Sequence, residues 1–233
     1  MLYPGDRSMS KCVEVVVLVE GTTEKIFIEA MVVPYLATKG IYMTAIIVSK
    51  PGQKGGDVKF SRVKNDIGMH LKQRSDTYLT LFVDYYGIKN DWPGFEKFKR
   101  QRTPENKALT MLAATKKEVN SLYGAFDSDR RFLPYVSMYE FEGMLFSEPK
   151  QMAEILGVSE ESVNKILAEC GEPEHINDSP HTAPSKRIEK LSSRFKKTTT
   201  GISIARAIGL SKIRKQCPLF NRWLTTIEEI VTQ

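Results

Sequence analysis

Cysteine is scarce in this chain of 233 residues: Cys12, Cys170 and Cys217 form an odd set without paired spacing. That excludes a disulfide-built scaffold and points to a reducing compartment, with free and mostly buried thiols expected. No Cys-x-x-Cys occurs, so Cys170, His175 and His181 lack the paired thiolates of a structural zinc site, despite their suggestive spacing. Long apolar runs are missing as well, and no stretch approaches the length of a membrane span. The opening residues are polar and include Pro4, Gly5 and Asp6, unlike the apolar centre of a secretory signal. A cytoplasmic protein with no membrane partner is the expectation. Two phosphate-binding patterns are absent too: no Gly-x-x-x-x-Gly-Lys-Ser/Thr occurs, and no Gly-x-Gly-x-x-Gly follows the first strand, which argues against nucleotide sites of those kinds.

What is present is modestly basic. With 34 Lys+Arg against 28 Asp+Glu the formal charge is +6, which suits a polyanionic partner such as nucleic acid, although solubility alone also accounts for it. The length suffices for one main core with a helical appendage.

Val13-Glu14-Val15-Val16-Val17-Leu18-Val19 is a β-branched run of the kind found in buried strands of parallel sheets. A helical pattern follows over residues 24–37, where Pro34 is expected to kink or end it. Residues 41–48 and 78–83 restore strand composition, with a helical pattern over 58–72 between them. Another helical region spans 104–122, and residues 132–138 read as a fourth strand. Such alternation predicts an α/β fold: a doubly wound, mostly parallel sheet of about four strands over residues 10–147. From 148 to 233 only short helical patterns remain, at 150–156, 159–170, 184–195, 201–208 and 218–231, so a helical extension packed on the sheet is expected.

Three of the strands end in acids: Glu20 after the first, Asp84 after the third, Glu140 after the fourth. Right-handed crossovers put all strand C-termini of a parallel sheet on one edge, where ligands of open α/β sheets gather. Glu20, Asp84 and Glu140 are therefore expected to converge, with Glu24 and Glu142 nearby. An all-oxygen donor set favours Mg2+ or Mn2+ over zinc. Other readings stand beside this one. Thr22 or Thr23 would cap the helix after Gly21, and Glu24 and Glu142 would complement helix dipoles. Glu140 and Glu142 share a face only if the chain stays extended through them.

The loop from Lys50 to Lys59, with Lys54 at its centre, is glycine-rich and basic. It would suit phosphate contact through exposed N–H groups, or it is a solvated loop. Lys186 and Arg187 precede a helix, and Arg194, Lys196 and Lys197 end one; either they form a solvated face, or a lysine reaches the scissile phosphate. Tyr85 and Tyr86 beside Asp84 would stack on a base or pack the strand's end.

Val19-Glu20-Gly21-Thr22-Thr23-Glu24 resembles the Glu-Gly-x-x-Glu opening of the overcoming-lysogenization-defect (OLD) nucleases, and its order with Asp84 resembles the Toprim domain of topoisomerases and primases. The runs Leu81-Phe82-Val83-Asp84-Tyr85-Tyr86-Gly87, Tyr139-Glu140-Phe141-Glu142-Gly143-Met144-Leu145-Phe146, Pro184-Ser185-Lys186-Arg187-Ile188 and Cys217-Pro218-Leu219-Phe220 are similar to a stand-alone bacterial family of unknown function in the Toprim-like superfamily. That resemblance implies a metal-dependent nuclease, with Glu20, Glu24, Asp84, Glu140 and Glu142 as ligands of Mg2+ or Mn2+ and Lys197 as the late lysine. It further implies an AAA or ABC-type ATPase partner and an anti-phage role, with a homo-oligomer open. One departure is plain: Tyr86 stands where Toprim proteins usually carry a second aspartate.

Overall fold

The computed structural model describes residues 12–48, 58–176, 179 and 181–232. Strands β1 (Val13–Val19), β2 (Ile41–Ile47), β3 (Thr77–Asp84), β4 (Phe132–Leu133) and β5 (Val136–Ser137) form one sheet in the order β2-β1-β3-β4, with β5 also beside β3. Every pairing is parallel. All eight residues of β3 are buried, as a central strand covered on both faces requires.

The expected fourth strand is present in two pieces. Leu79 lies opposite Phe132 and Val83 opposite Val136, so both pieces keep the same register against β3. The break falls at Pro134 and Tyr135, where proline has no N–H for the ladder.

Helices α1 (Thr22–Phe27) and α2 (Val33–Ala37) join through a π turn, Ile28–Val32. Pro34 was expected to kink or end this helix, and the chain runs through it. The π turn absorbs the misfit: the Val33 N–H reaches back to the Ile28 carbonyl, widening the turn ahead of the proline. Helices α3 (Phe60–Gln73), α4 (Phe95–Lys99), α5 (Pro104–Tyr123) and α6 (Ser128–Arg131) complete the connections between strands. The step from β1 to β2 runs opposite to the step from β2 to β3, so right-handed crossovers place α1 and α3 on opposite faces.

The tail folds as α7 (Pro149–Leu156), α8 (Glu160–Cys170), α9 (Pro184–Leu191), α10 (Ile202–Ile208), α11 (Leu210–Gln216) and α12 (Pro218–Glu228). Two expected helices are shorter than their patterns: α9 stops at Leu191 and α12 gives way to a 3-10 turn, Glu229–Thr232. Helix α12 lies on the sheet, where Trp223 stacks on Tyr135 at 4.9 Å and donates its indole N–H to Thr80 Oγ1 at 2.8 Å. Phe220 of α12 meets Phe27 of α1 and Phe82 of β3, so these helices share a face and one contiguous core. All three cysteines are free; Cys217 is buried, whereas Cys12 is exposed, contrary to the expectation of mostly buried thiols. Among the described residues, no helix is long and apolar enough to cross a membrane.

Candidate metal centre

The sheet order reverses between β1 and β3, because the chain leaves β1 toward one edge and β3 toward the other. Such a switch point opens a crevice beyond the strands' carboxyl ends. Glu20 leaves the end of β1 and Asp84 ends β3, on either side of that crevice. The Asp84 N–H points to Glu20 Oε2 across 3.4 Å. A cleft of about 390 Å³ is lined here by Glu20, Glu24, Asp84, Tyr86, Glu140 and Lys197, among others.

No side chain caps α1: its N-cap is Gly21, so the expected cap by Thr22 or Thr23 is not formed. Glu24 sits in the first turn, buried, complementing the helix N-terminus while facing the other acids. Between β5 and the third acid, Tyr139 adopts φ 62°, a left-handed conformation unusual for a bulky residue. Its carbonyl accepts from the Tyr86 N–H at 3.1 Å. Glu140 follows in extended conformation, and a 3-10 helix, Phe141–Ser147, begins directly after it. Despite that turn Glu140 and Glu142 do not diverge, because Lys197 gathers both: its Nζ lies 2.8 Å from Glu142 Oε1 and 3.8 Å from Glu140 Oε1. Lys197 opens a π turn, Lys197–Gly201, ahead of α10.

Backbone N–H groups orient two of the carboxylates. Phe141 donates to Asp84 Oδ1 at 2.9 Å, and Ser185, in the first turn of α9, donates to Glu140 Oε2 at 2.9 Å. Burial pushes the Asp84 carboxyl well above its usual range, and repulsion from Glu24, Glu142, Glu20 and Glu140 adds to it. Glu142, with no exposed surface, is raised to about 7 by burial, the Lys197 charge working against that rise. Burial alone would lower Lys197, but Glu142, Glu140 and Asp84 outweigh it and hold the ammonium above the usual lysine range. A group of buried acids that repel one another at a strand edge is a charge arrangement suited to a cation.

A family model described as a domain of unknown function, DUF4276, matches residues 19–228. The chain belongs to that family. The match spans every motif quoted above, and membership of a family of unknown function agrees with the expectation from those motifs. No curated protein matches the chain. Among solved structures, the C-terminal region of the Xanthomonas campestris pv. campestris OLD protein matches at 16% identity with a TM-score of 0.42, over 94% of this chain and 96% of that one.

The acids expected from the sequence meet in one place, but not as a closed cage. Among the described residues, no three His, Cys, Asp or Glu side chains are arranged to enclose a metal ion. Of the residues with zinc-like spacing, His175 is bonded to Glu105. A hard cation such as Mg2+ needs less, since it is held by one or two carboxylates and completes its shell with water and substrate phosphate. Glu20 and Asp84, both facing the cleft, fit that requirement.

The expected basic contacts are placed less directly. Lys50 and Lys54 lie outside the described residues. Lys59 is exposed ahead of α3, next to Val58, whose N–H bonds the Gly87 carbonyl at the cleft's rim. Lys186 pairs with Glu189 at 2.7 Å, and Arg187 is tied to Glu169 Oε2 and the Thr182 carbonyl. Tyr85 is buried against Phe98, whereas Tyr86 is half-buried and lines the cleft. Two contributors were not singled out from sequence. Gly87 leaves room for Glu20, whose Oε2 would lie 2.4 Å from any Cβ there, and Ser185 aims Glu140. Both stand inside the quoted motifs, at Asp84-Tyr85-Tyr86-Gly87 and Pro184-Ser185-Lys186, which was the available signal.

Proposed function

We propose that this chain is a Toprim-type, metal-dependent phosphodiesterase that hydrolyses nucleic acid. The observation that carries the reading is the meeting of Glu20, Glu24, Asp84, Glu140 and Lys197 in one cleft at the switch point of a parallel sheet. Glu20 and Asp84 would hold Mg2+ or Mn2+, which supplies Lewis-acid polarisation of the phosphate and a more acidic water. Asp84 is kept in position by the Phe141 N–H, and Glu140 by the Ser185 N–H. Lys197, half-buried and lining the same cleft, presents an ammonium to a phosphate oxygen. Lys59, and Lys186 and Arg187 beside Ser185, are the proposed contacts to the nucleic-acid backbone, together with Lys50 and Lys54. The motif resemblance supports a cytoplasmic, anti-phage effector working with an ATPase.

The test is cleavage of DNA and RNA by purified protein with Mg2+ or Mn2+. Glu20→Gln and Asp84→Asn should each abolish metal-stimulated cleavage while leaving the thermal melting curve cooperative. Cleavage unchanged in both variants would rule the reading out.

A second reading is favoured by one observation, Tyr86 at the place of a second aspartate. In it the chain keeps the fold without the chemistry and acts as a binding or regulatory subunit of an ATPase complex. Calorimetric titration separates the two, because a decayed site takes up neither Mg2+ nor Mn2+ at millimolar concentration.

A further inference from the structure

We infer that the cleft takes a single divalent ion, on Glu20 and Asp84, and that the Lys197 ammonium is the fixed second cation, seated on Glu140 and Glu142. The inference rests on the metal reading above and sharpens it.

Three observations lead there. The acids fall into two groups that differ in access. Glu20, Glu24, Asp84 and Glu140 line the cleft, whereas Glu142 is wholly buried and contributes nothing to its wall. Lys197 does line the cleft and contacts Glu142 at 2.8 Å, so the ammonium stands between that carboxylate and any entering ion.

Glu140 is committed in the same direction. Its Oε2 accepts the Ser185 N–H, and its Oε1 faces Lys197 at 3.8 Å. For a second metal to bind Glu140 and Glu142, the lysine would have to leave a buried carboxylate that has no exposed surface. Leaving such a charge unpaired is costly, whereas an ammonium already in place needs no coordination shell.

The third observation lies on the other side of the cleft. Two residues beyond Asp84 the chain offers no further carboxylate. That position is Tyr86, a neutral phenol that shares the cleft wall. With Glu140 and Glu142 engaged by Lys197, Glu20 and Asp84 are left as ligands for one hydrated ion.

Titration of the full chain with Mn2+, following the free ion by electron paramagnetic resonance, counts the sites without relying on catalysis. One ion per chain is the expected result. Two ions in the wild-type protein would overturn the inference while leaving the metal reading intact, and none would remove the metal reading and the inference with it. Lys197→Gln deletes the charge yet keeps a donor for Glu142. This variant should bind two ions, the second on Glu140 and Glu142, and a count that stays at one would overturn the role given to the lysine. The wild-type count stands as a test even if that variant fails to fold.

Discussion

The two ends of β3 both bury charge, and they satisfy it in opposite ways. At the Thr77 end, the Arg131 side chain is 2% exposed, yet its guanidinium donates to the carbonyls of Thr77 at 2.9 Å, Leu71 at 3.0 Å, Phe126 at 2.8 Å and Arg74. All four acceptors are backbone oxygens, two of them, Leu71 and Arg74, at the C-terminal end of α3, where a cation is favoured. At the Asp84 end, acids from several elements face one another with Lys197 as the cation among them. Burial of charge is common to both ends and so does not mark a site. What distinguishes the Asp84 end is like charge held together, an arrangement that gains by taking up a cation.

Substitutions at the two ends should therefore differ in sign. Arg131→Met leaves four carbonyls without their donor and should cost about 3 kcal/mol or more, read from the urea midpoint. Asp84→Asn keeps an acceptor for the Phe141 N–H while removing one repelling charge, and should raise the stability read from the same midpoint by about 1 kcal/mol. A loss of stability in both variants would erase the distinction.

Glu174 sharpens the comparison from a third position, beneath α12. It is buried like Asp84 but satisfied like Arg131, its two oxygens accepting the N–H groups of Leu219 at 2.8 Å and Phe220 at 3.0 Å. Burial nevertheless outweighs those bonds and raises its pKa to about 7. A folded pKa above the unfolded one means that the folded chain holds the proton longer. The contribution to stability is thus full below the usual carboxylate pKa and is lost as pH rises through about 7. Urea midpoints taken at about pH 5 and about pH 7.5 should fall less in Glu174→Gln than in wild type, and identical falls would show that Glu174 does not contribute.

The smallest effect on stability is expected at Gly87. A Cβ there would meet the Glu20 carboxylate, the free end of a flexible side chain, so Gly87→Ala should change stability by no more than about 0.5 kcal/mol. Displacing Glu20 should still weaken Mn2+ binding about tenfold, equivalent to roughly 1.4 kcal/mol. Unaltered Mn2+ affinity would take Glu20 out of the ligand set.

Much of this contrast was readable before any fold was drawn, though unevenly. Glu20, Asp84 and Glu140 could be placed on one edge because each ends a recognisable strand and parallel strands end together. Arg131 carried no such signal, since its acceptors lie on segments distant in sequence. Helices α4 and α6 were not read because five and four residues give too little periodicity, and α11 was not read either. The fourth strand was located correctly but drawn continuous, although Pro134 stood inside it.

By itself, then, the sequence determined the alternation of strands and helices, the parallel sheet, and the edge on which the acids lie, because these follow from local periodicity and the handedness of crossovers. Only the tertiary structure decided how those acids differ. Asp84 is oriented by a backbone N–H from 57 residues away, and Lys197 closes over Glu142 from a turn on the far side of α9. The field at a carboxylate depends on every charge and dipole around it, whatever their separation along the chain, and those neighbours are set by packing.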